Sequence, residues 1–424
     1  MKHLSVWIEI NGEQTYVGDI GGQGAGDARF IYSKEYCLNP YCHPISIHLP
    51  FSDEAFSVKD TRNFFEGLLP EGFTRRCVAG WMHADEDDYL TLLAGLGREC
   101  LGAIKITDEE QDVDAVTYKK LTVDEVKQLA REGASEAADL VTKAHLSLTG
   151  ASGKVGLYYD KQADDWYLPM GAAPSTHIVK QSHVRLDGIV TNEQLSLMTA
   201  KNVGIEIPNS FVINVGDGRD EDVLFATERY DRKFEQSSKK IDDLPIPFRL
   251  HQEDFSQALG IPSSNKYEHN HAGYLVKMFD ILKQYSANPM EDQLKLWDLC
   301  IFNYLIGNTD NHVKNVSLLY SADMQSIRLA PAYDIVSTII YDSSTREMAF
   351  SIGNEYHINR IDRSSFQQQA EIVGLGEKVA MKHFDHMANI FYSALDQACE
   401  VLKAEGFMKA EDIKRRIMKQ RKIN

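Results

Sequence analysis

The chain has 424 residues, enough for two or three domains with substantial cores, and its make-up is that of an ordinary globular protein, 43% hydrophobic and 25% charged. Its formal net charge of −17 excludes unaided, nonspecific binding to nucleic acid, which needs a positive face. Six scattered cysteines read as reduced thiols rather than a disulfide framework, and the most apolar stretch is too short to span a bilayer, so no membrane association is expected.

The first residues, MKHLSVWIEINGE, alternate as a strand does and lack the apolar centre of a signal peptide, which predicts a cytoplasmic protein. Strand-like runs cover Leu4–Ile10, Ile45–Leu49 and Gly102–Ile106. Cys37, Cys42 and His43 lie close together, but no second pair completes a zinc site. The segment DTRNFFEGLL at 60–69 predicts a helix with Asp60 as N-cap and with Phe64, Phe65, Leu68 and Leu69 on one face. Residues 107–145 are acidic and Ala-rich and read as a connecting helix with little core of its own.

From 147 to 227 strand signals dominate: KVGLYYD, DWYLP, THIVK, SFVINV and DVLFATERY. One helix interrupts them, NEQLSLMTAKNVG, with Asn192 as its cap and Gly204 as its stop. From about 250 onward the pattern is helical except for one hairpin, NVSLLY and SIRLA around SADMQ. The basic tail KRRIMKQRK at 414–422 reads first as a solvated helix face. There is no internal repeat. A β-rich half followed by a helical half predicts two lobes with a cleft between them.

The nine residues GNTDNHVKN at 307–315 leave an apolar helix and are almost wholly polar. Asp310 and Asn315 form D-x-x-x-x-N, the step at which phosphoryl transfer can place a proton acceptor and a hard oxygen ligand for Mg²⁺ on one short loop. Alone, the spacing reads equally well as a capped turn after Gly307. The hairpin that follows returns the chain, in APAYDIVS, to a second acid, Asp334, whose bland reading is a helix N-cap. Upstream, SLTGASGKVGLYY is a small-residue loop entering a strand, able to bring backbone N–H groups to phosphates, although it lacks the Walker A spacing. Lys180 ends a strand and could reach phosphates, with Glu193 in the next helix as its partner; a surface lysine and a helix-dipole glutamate are the ordinary alternatives. FATERYDR, with Tyr230, reads as a hinge or as a buried strand end. The order of loop, lysine, helix, hinge, D-x-x-x-x-N and second acid makes coincidence the weaker account.

On these residues the chain resembles the HipA-like serine/threonine protein kinases, the toxin half of bacterial type II toxin–antitoxin modules. NFFEGLLPEG and GRECLGAIKI look like the family's N-terminal subdomain; SLTGASGK, PSTHIVK, ATERYDR, RLHQEDFSQALGIPSSNKYE, GNTDNHVKNVSLLY and LAPAYDIVS look like its kinase core. The resemblance implies an α+β, two-lobed, protein-kinase-like fold. Its segments are an N-terminal subdomain at 1–106, a connection at 107–146, a β-rich N-lobe at 147–230 and a helical C-lobe at 231–424. It implies ATP and Mg²⁺ as cofactors. Asp310 would be the catalytic base and Asn315 and Asp334 the metal ligands. Thr149, Gly150, Ala151, Ser152, Gly153 and Lys154 would form the phosphate loop, with Lys180 as the phosphate-binding lysine. Glu228, Arg229 and Tyr230 would be the hinge at adenine, while His312, Val313, Lys314 and Tyr333 would line the nucleotide.

Ser147 matches the serine whose autophosphorylation, in the family, switches the kinase off; a dianion beside ATP phosphates would repel them. The implied partners are a small DNA-binding antitoxin of the HipB type, operator DNA through that antitoxin, and a protein substrate such as an aminoacyl-tRNA synthetase. Two departures stand out. Ser152-Gly153-Lys154 replaces the Gln-Glu-Lys common in the family loop and makes Ser152 a second candidate phosphosite. Asn311 stands where glycine is common, which a left-handed backbone would permit. A small-molecule phosphotransferase and a non-catalytic nucleotide-binding corepressor are the competing readings.

Overall fold

The computed structural model describes residues 2–108, 116–132, 153–182, 186–235 and 238–420. The chain is an α+β protein and divides into two compact units. One comprises Met1–Gln181, Ile213–Ser264 and Leu319–Ser326, the other Ser182–Val212, Asn265–Leu318 and Ile327–Asn424.

The first unit carries the two largest sheets, beside short two-stranded pairs. Strands β1 (Lys2–Ile10), β2 (Glu13–Gly22), β3 (Arg29–Tyr32) and β4 (Ile104–Asp108) make an antiparallel sheet in the order β3-β2-β1-β4. Two-residue alternation along β1 puts Leu4, Val6 and Ile8 on the buried face, each 1% exposed or less. The run Ile45–Leu49 is not a strand; an isolated bridge between Ser46 and Leu49 is all that forms. Pro44 and Pro50 bracket it, and its donors go to side chains instead of a ladder. Ile45 N–H donates to the Tyr32 hydroxyl, and Ile47 N–H and the Ser46 hydroxyl donate to Glu253. The helix predicted from Asp60 begins a turn earlier, at Val58–Phe65, capped by the Ser57 hydroxyl; Asp60 sits inside the first turn. Phe64, Phe65, Leu68 and Leu69 are all buried.

The second sheet runs β5 (Thr117–Lys120), β6 (Lys154–Asp160), β7 (Asp165–Met170), β8 (His177–Gln181), β9 (Ser210–Asn214) and β10 (Val223–Glu228) in the spatial order β5-β7-β6-β8-β10-β9. The stretch expected as a connecting helix therefore supplies an edge strand, β5 against β7, before its helix Val123–Glu132.

Beneath the sheets lies a buried ionic cluster. Glu99 takes hydrogen bonds from Arg229 (3.1 Å), Arg232 (2.8 Å) and Arg249 (2.6 Å). Arg249 also reaches Glu9 (3.1 Å), and Arg229 reaches Asp231 (2.7 Å). Three guanidiniums face three carboxylates, so the cluster is neutral. Burial alone would push the Glu99 and Asp231 carboxyls up, but the arginines hold both at about 2. Gly102 belongs to the same cluster: its N–H donates to Asp231 (2.7 Å), and at φ +73 a Cβ there would lie 2.8 Å from Gln252 N.

The second unit is mainly helical, with helices at Ile189–Asn202, Tyr274–Tyr285, Pro289–Ile306, Arg363–Ile372, Glu377–Ala404 and Lys409–Gln420. Asn192 does not cap the first of these. That helix starts a turn earlier behind the left-handed Gly188, and Asn192 is a fully buried interior residue. Its amide nitrogen donates to Ser337 O and Tyr341 Oη, and its oxygen accepts from Ser337 N–H and the Ser196 hydroxyl. The helix Pro289–Ile306 is buried on nearly every side, with Trp297 donating to Ala380 O at 3.0 Å. The basic tail is a helix face turned inward as much as out. Arg416 binds Ile340 O and lies over the Tyr341 ring, and Lys414 pairs with Asp396 and Glu411.

Candidate active site

The loop after Ile306 is rigid because its own polar groups hold it. Gly307 ends the helix at φ +77, a conformation that favours glycine, and a Cβ there would lie 2.3 Å from Ile339 Cδ1. Asn308 Nδ2 binds Asn303 Oδ1 at 2.8 Å, and Asn308 Oδ1 accepts Asp310 N–H at 3.0 Å. Thr309 N–H donates to the Thr338 hydroxyl at 2.8 Å. Asn315 closes the loop by donating its Nδ2 to Asp310 O at 2.9 Å, which commits the nitrogen end of its amide and leaves the oxygen end for other use.

Asp310 is the one residue between Leu299 and Leu318 that is not buried. A carboxylate presented to solvent from a loop otherwise packed on all sides is an investment in a position, since an exposed side chain stabilises a loop little. The capped turn after Gly307 is present as well, and it supports the loop beneath Asp310.

Asp334 is not a helix N-cap. No helix begins there; the next helical turn is Thr338–Ile340, with Ser337 at its N-cap. Asp334 instead has φ +56, a left-handed conformation that aspartate tolerates but that regular structure does not call for. Its neighbour Tyr333 donates its hydroxyl to Lys314 O at 3.0 Å and shares a hydrogen bond with Ser317 Oγ at 2.6 Å. The second acid is thus tied back to the loop that carries the first. Asn311, expected to tolerate its place by going left-handed, does not; it is buried, without positive φ. The oxygens of Asn315 and Asp334 are the hard donors that suit Mg²⁺.

His312, Val313 and Lys314 are all buried, the last three positions before Val316 forming a short 3₁₀ turn, Val313–Asn315. Sequence reasoning missed Tyr267. Its hydroxyl donates to Asp310 Oδ1 and its ring meets His312 edge-on at 5.1 Å. No local pattern marks a contact across forty-three positions.

The first unit carries the other candidates. Lys180 of β8 stands directly opposite Lys154 of β6 and Phe225 of β10. Directly opposed residues share a sheet face, and the Lys180 ammonium lies 5.4 Å from the Phe225 ring centre. Gly153 precedes Lys154 at the start of β6. Glu228 ends β10, paired with Lys161 and opposite His177, whose imidazole burial pushes down to about 4. Arg229 is wholly committed. Its guanidinium belongs to the ionic cluster and its N–H donates to Thr176 O. The Tyr230 hydroxyl donates to Gln252. Ser147, Thr149, Gly150, Ala151 and Ser152 lie outside the described residues.

Comparison with known proteins identifies the family of the chain. The HipA-like C-terminal domain matches residues 146–395 and the HipA N-terminal domain residues 8–107. The chain is 30% identical over 413 residues to Y4mE of Sinorhizobium fredii, a protein that carries a kinase name, covering 94% of this chain and 92% of that one. It is 25% identical over 381 residues to the serine/threonine-protein kinase toxin HipA of Shewanella oneidensis, covering 87% of this chain and 83% of that protein. Its fold matches, at a TM-score of 0.79 and 20% identity, a chain solved in the complex of Shewanella oneidensis HipA, HipB and operator DNA, over 98% of this chain and 96% of that one. The chain belongs to the HipA-like kinase family.

Proposed function

We propose that this chain is an ATP- and Mg²⁺-dependent serine/threonine protein kinase, the toxin of a toxin–antitoxin module. The observation that carries the reading is Asp310: a carboxylate offered to solvent from a buried, hydrogen-bonded loop, with the amide of Asn315 beside it and Asp334 tied back to the same loop. Asp310 accepts the proton of the acceptor hydroxyl and orients that oxygen for attack. Asn315 and Asp334 would hold Mg²⁺, which supplies neutralisation of the phosphate oxygens when bound. Lys154 and Lys180 take the phosphates as paired point charges, while Gly153 and the residues before it, from Thr149, bring backbone N–H groups to them. The backbone of Glu228–Tyr230 flanks the base, and His312–Lys314 with Tyr333 line the nucleotide.

The target, on this reading, is a translation component such as an aminoacyl-tRNA synthetase, and Ser147 is the residue whose phosphorylation silences the enzyme. A small antitoxin of the HipB type binds the chain and carries it to operator DNA; a HipA with that arrangement is among the structures it resembles.

The test is transfer of γ-labelled phosphate from ATP·Mg²⁺ in a bacterial lysate, comparing the wild type with Asp310→Asn. Labelled protein seen with the wild type alone supports the reading, and the labelled band other than the kinase names its substrate. Nucleotide binding without any labelled protein refutes it and leaves the corepressor, while label on a small molecule points to the phosphotransferase.

A further inference from the structure

A buried loop fixes where Asp310 leaves the backbone, and a base must also be held at hydrogen-bond distance from its proton. The hydroxyl of Tyr267 donates to Asp310 Oδ1. Resting on the kinase reading above, we infer that Tyr267 is a positioning residue that holds the Asp310 carboxylate, through its Oδ1, in place for the acceptor hydroxyl.

The segment bearing Tyr267 is fastened on both sides. Val313 N–H of the catalytic loop donates to Lys266 O at 3.4 Å, and the Tyr267 ring stands edge-on to His312, two residues from Asp310. The Lys266 ammonium lies 5.7 Å from the Tyr267 ring centre on its own strand of chain. Next along, the buried Glu268 anchors the segment. Its N–H donates to Ala349 O at 2.9 Å, and its carboxylate accepts Tyr274 N–H at 3.1 Å and Ser351 N–H at 2.8 Å. The Tyr274 hydroxyl donates to Asn265 O at 3.0 Å. A half-buried phenol held this firmly, pointing at an exposed carboxylate, restricts that carboxylate rather than following it.

The experiment is steady-state kinetics of Tyr267→Phe, which keeps the ring against His312 and removes the hydroxyl. We expect kcat to fall about tenfold or more, since small misplacements of reacting groups are costly, with KM for ATP·Mg²⁺ and the nucleotide-induced thermal shift unchanged. Tyr267→His, which retains a donor, should recover part of kcat. An unchanged kcat overturns the inference, as does a parallel change in kcat and nucleotide affinity, which would mark a purely structural residue. A faster Tyr267→Phe enzyme also overturns it, since the tyrosine would then be competing with the acceptor hydroxyl. If the wild-type chain transfers no phosphate, the kinase reading itself has failed, a result distinct from any of these.

Discussion

Asp310, Asn315 and Asp334 are held by different means: a backbone N–H bound to Asn308, an amide bound to Asp310 O, and a left-handed backbone. Asp334→Asn keeps the shape of the side chain and removes its charge; the Mg²⁺ concentration for half-maximal transfer should rise by about tenfold or more, read from a metal titration of the rate. Gly307→Ala would put a Cβ against Ile339 at a positive φ. It should cost about 1–3 kcal/mol in urea unfolding, without removing any group that touches substrate. Glu99→Ala strips the hub from three buried guanidiniums and should cost on the order of 3–5 kcal/mol by the same measurement. At this scale the sequence was legible over short spacings, as with Asp310 and Asn315, which one loop joins by a hydrogen bond. It was illegible where a polar residue serves a distant partner. Asp60 and Asn192 both carry the letters of an N-cap, yet Ser57 and Gly188 start those helices, and Asn192 instead satisfies buried groups near Ser337.

Among the elements, the segment Ile45–Leu49 shows how a strand-like pattern is diverted. Its donors converge on Glu253, which also accepts from the Tyr320 hydroxyl. Burial pushes the Glu253 carboxyl up to about 7, against the three donors that favour its ionised form. The folded value is raised above the unfolded one, so this group contributes stability that is fully present below about pH 4 and is lost as pH rises through about 7. Glu253→Gln, uncharged at every pH, should therefore raise Tm at pH 8 and change it little at pH 5, measured by thermal melts across that range. The strands of the second sheet were plain in the sequence because short runs of β-branched, aromatic and apolar residues bounded by turn residues mark strands, and β6, β8 and β10 are buried at consecutive positions along most of their length. The edge strand β5 was not, because Thr117–Lys120 carries only Tyr118 as a buried anchor and gains its place from pairing with β7.

For the molecule as a whole, charge sets the terms. The arginines of the ionic cluster depress Glu99 and Asp231, so their contribution is present above ordinary carboxylate values, about pH 4, and is lost as pH falls towards about 2. Acid unfolding monitored by circular dichroism should show its midpoint moved to higher pH by Arg249→Met, which removes one of the three guanidiniums. With a net charge of −17 and a basic tail engaged by Ile340, Tyr341, Asp396 and Glu411, the isolated chain should not retard duplex DNA at about 0.15 M salt. Added antitoxin should produce a complex on operator DNA, read in a gel-shift assay; retardation by the chain alone would contradict this account of the tail.

The sequence by itself determined the strands and helices with strong local signals, the loop that follows the buried helix, and the acid–amide pair upon it, because burial patterns and hydrogen bonding within a loop both act over a few residues. Tertiary structure alone decided which side chains satisfy one another across long separations. It placed Arg229 in an ionic cluster, made Asp334 a left-handed residue and not a cap, and brought the Tyr267 hydroxyl onto Asp310. A buried polar group must find a partner, but nothing in a linear sequence says which one, since the pairing is fixed only when the chain has folded.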